Sequence, residues 1–240
     1  MLETTHGIVL HYNRYGDENA IVDIFTLSHG SLSFMVRDTR QRRKSLQATL
    51  LRPLNVVELV MDYKPMQQMH RIRELHLAHC YTTLPYDPMK EAVALFLSEF
   101  LHGALRQEVK NEALYHYILY SMQWFDVTSR GVANFHIAFL MRLSFYLGFW
   151  PSVEADEALP YFDLRDGVMT DTPPLHGFFL KDEEAAILPT LLRMNLRNMH
   201  LFRLNRQQRG RILDILTRYY RLHVPEFREL RALDVLRELF

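Results

Sequence analysis

Residues 21–37 decide the fold, and they read IVDIFTLSHGSLSFMVR. Both halves of this stretch are rich in β-branched and aromatic residues, which favours two short strands. The tripeptide Ser28-His29-Gly30 separates the halves, and Gly30 can adopt the positive φ angle that a tight hairpin turn needs. In the second half, alternate side chains point into a core. These inward residues are Leu32, Phe34 and Val36. The stretch therefore predicts a β-hairpin with one buried face.

Three more stretches of strand character flank this hairpin and extend the pattern over the first eighty residues. The five predicted strands cover residues 7–12, 20–27, 31–37, 54–63 and 71–80. Five short strands without a helical pattern predict a small barrel, because a closed sheet leaves few exposed edges.

The pattern changes near Leu84, where apolar residues begin to recur at helical spacing. Asp87 can cap a helix, and Pro88 fits the first helical position because that position needs no hydrogen-bonded amide. A second helix is predicted after Asn111. The remaining predicted helices cover residues 132–147, 182–197, 206–222 and 228–239.

An irregular insert is predicted at about residues 149–178, where four prolines interrupt the helical pattern. Residues 161–167 within it resemble half of a hairpin. The fold class is therefore α+β. A five-stranded barrel domain at residues 1–80 is followed by a helical domain at residues 81–240.

The composition indicates a neutral protein whose charges are unevenly placed. The chain has 28 basic and 28 acidic residues, whereas a nucleic-acid-binding domain often has a pI above about 9. Residues 145–184 carry nine acidic and two basic side chains, and residues 185–240 carry eleven basic and five acidic ones. Screening limits each field to about 8–10 Å, so a ligand meets these regions separately.

The single cysteine, Cys80, excludes a disulfide within the chain and fits a reducing cytoplasm. No secretory signal pattern is present, and polar residues interrupt every apolar stretch well before about 18 positions. We therefore expect a cytoplasmic protein without a membrane span.

Sequence motifs of common catalytic and cofactor sites are absent, including the P-loop, the dinucleotide glycine fingerprint, H-E-x-x-H and G-x-S-x-G. His76, His79 and Cys80 are close in sequence, but the two histidines would point to opposite faces of a strand and zinc needs about four ligands. The acidic side chains of residues 163–171 can be read as a nuclease-like cluster, although acidic loop residues are more often solvated. We expect no metal, no cofactor and no enzymatic activity.

A basic run between the third and fourth predicted strands is the sharpest local feature. It reads RDTRQRRK over residues 37–44, and five of its eight residues are cationic. At the lip of a barrel, such a loop can neutralise DNA phosphates and release their counterions. A solvated loop without a ligand is an equally good interpretation. The candidate DNA-binding residues are Arg37, Arg40, Arg42, Arg43 and Lys44.

Aromatic residues on the same barrel are candidates for stacking on bases. Phe25 and Phe34 are more often core residues in a barrel this small. The full set is Tyr12, Tyr15, Phe25, Phe34 and Tyr63.

A second group of cations surrounds the predicted helix at residues 206–222 and forms a second candidate DNA-binding patch. Arg211 and Arg218 share a stripe with Asp214 between them, so ion pairing within the helix can instead absorb the charge. The candidates are Arg206, Arg209, Arg211 and Arg218.

Several segments, taken in order, resemble the RecO family over nearly the whole chain. The resembling segments are GIVL (7–10), YGD (15–17), IVDIFT (21–26), GSLSFMV (30–36) with the basic loop, residues 134–149 as the family's central helix, and YYRLH (219–223) with LRALDVL (230–236) as its closing helices.

This resemblance implies an OB-fold at residues 1–80 and a role in DNA repair as a recombination mediator. The family binds single- and double-stranded DNA, anneals complementary strands, and works with RecR to load RecA on strands coated by single-strand binding protein (SSB). It also binds the acidic, apolar C-terminal tail of SSB, for which Arg142 on the central helix is the candidate cation. The resemblance implies no catalysis and a cytoplasmic location at the nucleoid.

Two features depart from the family pattern. Many members carry four cysteines that form a zinc site in the insert, whereas residues 149–178 contain no cysteine here. This insert is therefore expected to hold its shape by packing. The neutral overall charge is the second departure.

A different function remains open, namely a protein-interaction adaptor for which DNA contact is incidental. A nuclease is disfavoured because the spacing of metal ligands is absent. Salt dependence separates mediator from adaptor, because DNA affinity that rests on phosphate contacts falls steeply as salt rises.

Overall fold

The computed structural model describes residues 1–16, 18–37, 49–153 and 159–239. The chain forms two compact units. The first consists of Met1–Val127 with Leu230–Leu236, and the second consists of Thr128–Glu229 with the residues from Arg237 onward. The proposed division after residue 80 into separate domains stays a prediction.

The N-terminal strands form one sheet in the order β5-β3-β2-β1-β4-β6. They are β1 (Leu2–Tyr15), β2 (Asn19–Thr26), β3 (Gly30–Arg37), β4 (Val56–Asp62), β5 (Met69–His70) and β6 (Ile72–His79).

Only Arg71 separates β5 from β6, so one continuous segment of the chain forms both edge strands of this sheet. Its first two residues pair in parallel with β3, and the rest pairs antiparallel with β4. The sheet therefore curls into a half-barrel of OB type. The predicted barrel is confirmed, with β6 matching the fifth predicted strand and β5 as an additional strand that was not predicted.

The concave side of the half-barrel holds the first unit's strand core. The predicted inward face of β3 is confirmed, because Phe34 belongs to this core and Leu32 and Val36 pack against it. Alternation along each strand explains the choice of residues. The core residues are Val9, Val22, Ile24, Phe34, Leu51, Val57, Leu59 and Met61.

Two helices follow the barrel, α1 (Pro88–Ala104) and α2 (Glu112–Val127). α1 packs against β1, and Tyr115 of α2 lies beside Phe25 of β2 with ring centroids 6.1 Å apart. As predicted, Asp87 caps α1, and its carboxylate accepts two first-turn amides at 2.9 and 3.3 Å. A bulge leaves Leu10 as an extra residue of β1. Its carbonyl accepts the hydroxyl of Ser98 on α1, which fixes the helix to the strand.

Asp126 near the end of α2 is buried and binds the segment that leaves the barrel. Its carboxylate accepts the amides of Thr82, Thr83 and Leu84 at 2.7–2.8 Å. Burial alone would raise the pKa of Asp126, but these hydrogen bonds outweigh it and lower the pKa from 3.8 to about 2. Buried Lys90 donates to the Asp126 backbone carbonyl at 2.6 Å. The barrel exit and α2 are thus one hydrogen-bonded assembly.

The second unit is built on α3 (Phe135–Tyr146), which follows a 3-10 turn at Val132–Asn134. α3 is buried on nearly all sides. Gly148 lies just beyond it with a φ angle of 84°, which suits the end of a helix.

The insert contains a three-stranded sheet in the order β8-β7-β9. Its strands are β7 (Tyr161–Asp163), β8 (Val168–Thr170) and β9 (Phe179–Lys181). The predicted half-hairpin is confirmed, with Gly167 at a φ angle of 70° in its turn. The third strand, β9, was not predicted.

The single helix expected at residues 182–197 is wrong. Two short helices occur instead, α4 (Asp182–Ala186) and α5 (Leu188–Arg193). Pro189 explains the break, because it has no amide hydrogen to continue the bonding pattern of α4.

The last two helices are α6 (Arg206–His223) and α7 (Ala232–Leu239). Asn205 and Gln208 form a capping box at the start of α6. α7 begins four residues later than expected, where the Glu99 carboxylate accepts the amides of Arg231 and Ala232 at 2.9 and 2.7 Å. None of the described helices has the length and apolar character needed to cross a bilayer.

Candidate nucleic-acid interface

At one end of the half-barrel, paired residues of β1, β2 and β3 form an exposed row of side chains. The register pairs Tyr15 of β1 with Asn19 of β2, and Asn19 with Arg37 of β3. Residues paired in this way share a face, and neighbouring strands are about 4.8 Å apart, so Tyr15 and Arg37 are separated by about 10 Å at their Cα atoms. Tyr15 is 62% exposed, and Arg37 is also exposed. A ring and a cation at this spacing can contact a base and a nearby phosphate.

The strand β3 ends at Arg37, which is the first residue of the predicted basic loop. Arg37 forms no ion pair with another residue that the structure describes. Four of the predicted DNA-binding residues lie outside the described residues: Arg40, Arg42, Arg43 and Lys44. The role of this loop in DNA binding therefore stays a prediction.

The structure separates the five aromatic candidates. Phe25 and Phe34 are fully buried, in agreement with the core interpretation. Tyr12 packs against the barrel core. Tyr63 stacks with His29 and His70, with ring centroids 3.7 and 5.3 Å away, so its ring is already engaged within the protein. Tyr15 is the candidate with a ring available to a base.

Two arginines of the second predicted patch are engaged with backbone carbonyls. Arg209 is half-buried, its guanidinium donates to the carbonyl of Leu204, and burial lowers its pKa. The Nε of Arg206 donates to the carbonyl of Arg237 at 2.8 Å. Arg209 therefore does not belong to the exposed face of α6.

The other two arginines lie on the exposed face of α6. Arg211 forms ion pairs with Glu183 and Glu184 at 3.7 and 3.5 Å. The expected pairing of Asp214 within the helix is wrong, because Asp214 pairs with Arg237 instead. Among the described residues, Arg218 has no ion-pair partner. The four residues therefore do not form one continuous cationic surface, and their role stays a prediction.

Arg142 lies on the outer side of α3 beside three aromatic rings. Its guanidinium carbon is 4.3 Å from the ring centroid of Phe145 and 5.8 Å from those of Tyr146 and Trp150. Phe145 is 49% exposed, and Arg142 has no acidic partner within the described part of the chain. The spacing of three and four residues predicts the first two contacts. Trp150 lies near Arg142 because the chain turns after α3, and the sequence does not predict this contact.

The insert is held by a carboxylate and an imidazole. The Nδ1 of His176 accepts the Phe178 amide at 3.1 Å, and its Nε2 lies 3.0 Å from the carboxylate of buried Asp163. Burial would raise the pKa of Asp163, but hydrogen bonds from the Asp166 and Arg165 amides and from His176 outweigh it and lower the pKa. The pair closes the loop between β7 and β9.

The side chains considered above as possible metal ligands do not come together as a metal site in the described residues. His76 lies 4.0 Å from Glu74 on the outer face of β6. Asp163 is engaged with the insert backbone and His176. Over residues 1–16, 18–37, 49–153 and 159–239, no three metal-ligating side chains are arranged to hold an ion.

Comparison with known proteins adds to this geometry. The family model described as "Recombination protein O N terminal" matches residues 1–81, and "Recombination protein O C terminal" matches residues 85–232. The chain belongs to the RecO family. It is 45% identical over 240 residues to the DNA repair protein RecO of Phocaeicola vulgatus, with all of both chains covered. It is 43% identical over 241 residues to that of Bacteroides fragilis, and 33% identical over 244 residues to that of Porphyromonas gingivalis, again over the full chains.

One group of exposed arginines in this RecO-family chain was not predicted from the sequence. Their signal was available, because residues 127–153 and 185–213 contain no aspartate or glutamate. The missed residues are Arg130, Arg193, Arg197 and Arg203, and all but Arg193 lie outside the helices. A search for charge along predicted helices therefore does not find them.

Proposed function

We propose that this RecO-family protein is a recombination mediator in DNA repair, and that it acts by binding rather than by catalysis. It binds single- and double-stranded DNA, anneals complementary strands, and acts with RecR and SSB to help load RecA. Its working location is the cytoplasm, at the nucleoid. The two family matches and the relatives named DNA repair protein RecO support this proposal.

The exposed row at the end of the half-barrel carries the proposal of DNA binding. Tyr15 offers a ring for stacking, and Arg37, the first residue of the basic run, lies on the same face. Phosphate contacts provide most of the affinity for nucleic acid, and stacking adds about 1–3 kcal/mol per base. The proposed phosphate-binding residues are Arg37, Arg40, Arg42, Arg43 and Lys44.

Two variants test this surface in the full chain. Replacing Arg40, Arg42, Arg43 and Lys44 by alanine should lower the slope of log affinity against log salt by about 0.7–0.9 for each phosphate that is no longer neutralised. Tyr15→Leu should weaken single-stranded DNA binding by about fivefold or more, with an unchanged salt slope, because stacking releases no counterions.

A charge-matched control removes four exposed cations elsewhere on the barrel: Arg52, Lys64, Arg71 and Arg73. The control should keep the wild-type salt slope. If the loop variant and the control lose DNA affinity equally, the net charge of the protein, and not this face, determines the affinity. An unchanged affinity in the loop variant, at an unchanged melting temperature, would reject the loop.

Arg142 and its aromatic neighbours are the proposed binding site for the SSB tail. An acidic peptide that ends in a phenylalanine needs an apolar surface beside a cation for the terminal carboxylate. Arg142→Ala should weaken the binding of such a peptide at least tenfold, as measured by fluorescence anisotropy. Arg218→Ala, which changes an exposed arginine of the same unit, should leave peptide binding unchanged. Equal affinities of the two variants would contradict the assignment.

The outer face of α2 favours the adaptor as a second candidate function. Tyr120 and Val127 are 69% and 72% exposed, and His116 lies beside Tyr120 on the same face. Exposed apolar side chains of this kind suit a protein partner. If adaptor function is primary, DNA affinity should be weak and nearly independent of the loop variant, and Tyr120→Ser should reduce partner binding.

A further inference from the structure

Five exposed basic side chains lie on two segments of the second unit. None of them belongs to the candidate patches described above. We call this group the arginine surface. It consists of Arg130, Arg193, Arg197, His200 and Arg203.

Among the residues that the structure describes, no carboxylate pairs with the arginine surface. Residues 127–153 and 185–213, which supply it, contain no carboxylate side chain. Arg193 donates its Nε to the backbone carbonyl of Pro189 at 3.2 Å, and the other three arginines form no ion pair with any described residue. Elsewhere in the same unit, Arg211 is paired with two glutamates. Within the described part of the chain, the charge of Arg130, Arg197 and Arg203 is therefore not neutralised by an ion pair.

Two asparagines fix the backbone from which these arginines project. The Oδ1 of Asn195 accepts the amides of Arg197 and Asn198 at 2.9 and 3.2 Å. The Oδ1 of Asn198 accepts the Asn195 amide at 2.7 Å, and its Nδ2 donates to the carbonyl of Arg193 at 2.9 Å. Arg193 and Arg197 are consequently held on one closed turn.

A third asparagine and a glycine bring the second segment to this turn. The Nδ2 of Asn134 donates to the carbonyls of Met199 and Phe202 at 3.0 and 2.8 Å. Gly131 has a φ angle of 72°, and a Cβ atom added there would lie 3.0 Å from the Cα and amide nitrogen of His200. Arg130 is thus next to His200 across two segments, and the surface is organised before a ligand binds.

We infer that the arginine surface is a second nucleic-acid site, which holds one strand by its phosphates while the half-barrel holds another. The inference rests on the proposed function and deepens it, because annealing requires two strands on one protein. Guanidinium groups bind phosphate oxygens in bidentate geometry. Phosphate contacts carry no base information, so this site should bind strands of any sequence.

Native mass spectrometry with oligothymidylate of about ten nucleotides tests the inference, since one strand of that length is within the site size of a single domain. The full chain should bind two strands. The combined variant Arg130→Gln, Arg197→Gln and Arg203→Gln should bind one, and its annealing rate should fall at least about tenfold. Its salt slope should fall by about 2, at roughly 0.7 for each phosphate that is no longer neutralised.

A control with three exposed arginines changed in the same unit, Arg165→Gln, Arg221→Gln and Arg228→Gln, should still bind two strands. If the combined variant also binds two, or the wild-type chain binds only one, the second site is rejected and the proposed function stands. If the wild-type chain binds no DNA, the proposed function itself fails. If the combined variant loses an acidic peptide but keeps both strands, the surface is a peptide site and the inference is overturned.

Discussion

Replacing Asp126 by asparagine is expected to destabilise the first unit, because the carboxylate serves as acceptor for several donors at once. One of its oxygens accepts the amide and the hydroxyl of Thr82, and the other accepts the amides of Thr83 and Leu84. An asparagine offers one acceptor oxygen, so its NH2 group must face at least one buried amide donor. An unsatisfied buried donor costs about 1–3 kcal/mol, and a lost hydrogen bond to a charged group about 1.5–3 kcal/mol. We expect Asp126→Asn to lower the free energy of unfolding by about 3–4 kcal/mol.

The effect of this substitution should depend on pH. Because the folded pKa of Asp126 is lowered from 3.8 to about 2, its charge stabilises the fold fully above about pH 4. That contribution, roughly 2 kcal/mol, is lost as the pH falls from about 4 towards 2. The difference in stability between wild type and Asp126→Asn should therefore shrink as the solution is acidified.

Urea unfolding followed by circular dichroism at about pH 7, 5 and 3 measures this difference. Glu18→Gln, at an exposed turn, is the control and should change stability by less than about 0.5 kcal/mol. A difference between wild type and Asp126→Asn that stays constant down to about pH 3 would refute the linkage argument. Equal urea midpoints of the two proteins at about pH 7 would refute the buried-acceptor argument.

Three further predictions concern a turn, the insert and metal content. Gly30→Ala should prevent stable folding or lower the free energy of unfolding by more than about 3 kcal/mol. The added Cβ would lie 2.3 Å from the carbonyl oxygen of Glu108, and the φ angle of residue 30 is 75°. Soluble yield and the thermal midpoint check this. His176→Ala should remove a partner of Asp163 and increase hydrogen exchange at residues 161–181, and exchange equal to wild type would contradict the role of this pair. Elemental analysis should find no stoichiometric zinc, because Cys80 is the single thiol, and about one zinc per chain would reject that expectation.

Local patterns explain which parts of the fold could be predicted. The hairpin turn at Gly30 and the start of α1 at Asp87 depend on residues that are adjacent in sequence, so their signals are complete there. The two-residue strand β5 and the late start of α7 depend on partners far away in the chain. Glu99 satisfies the first amides of α7 from 132 or more residues away, and no local pattern encodes such a cap.

The candidate site was predictable in composition but not in geometry. The basic run after Arg37 is visible as a charge cluster, whereas the sequence cannot distinguish Tyr15 from Tyr63. Their difference arises because the His29 and His70 rings stack with Tyr63 from other parts of the sheet. The surroundings of the C-terminal arginines could not be predicted for the same reason, since the carboxylates that pair with Arg211 come from another helix.

The first unit cannot be completed until the last part of the chain has been synthesised, because it includes residues from both ends of the chain. Leu230, Ala232, Leu233 and Leu236 are buried and belong to the same unit as residues 1–127. At a translation rate of about 5–20 residues per second, they emerge roughly 5–20 s after Val127. During that interval the half-barrel and its two helices are made but lack a piece of their own core. The nascent first unit should therefore be vulnerable to chaperones and proteases for longer than its position near the N-terminus suggests.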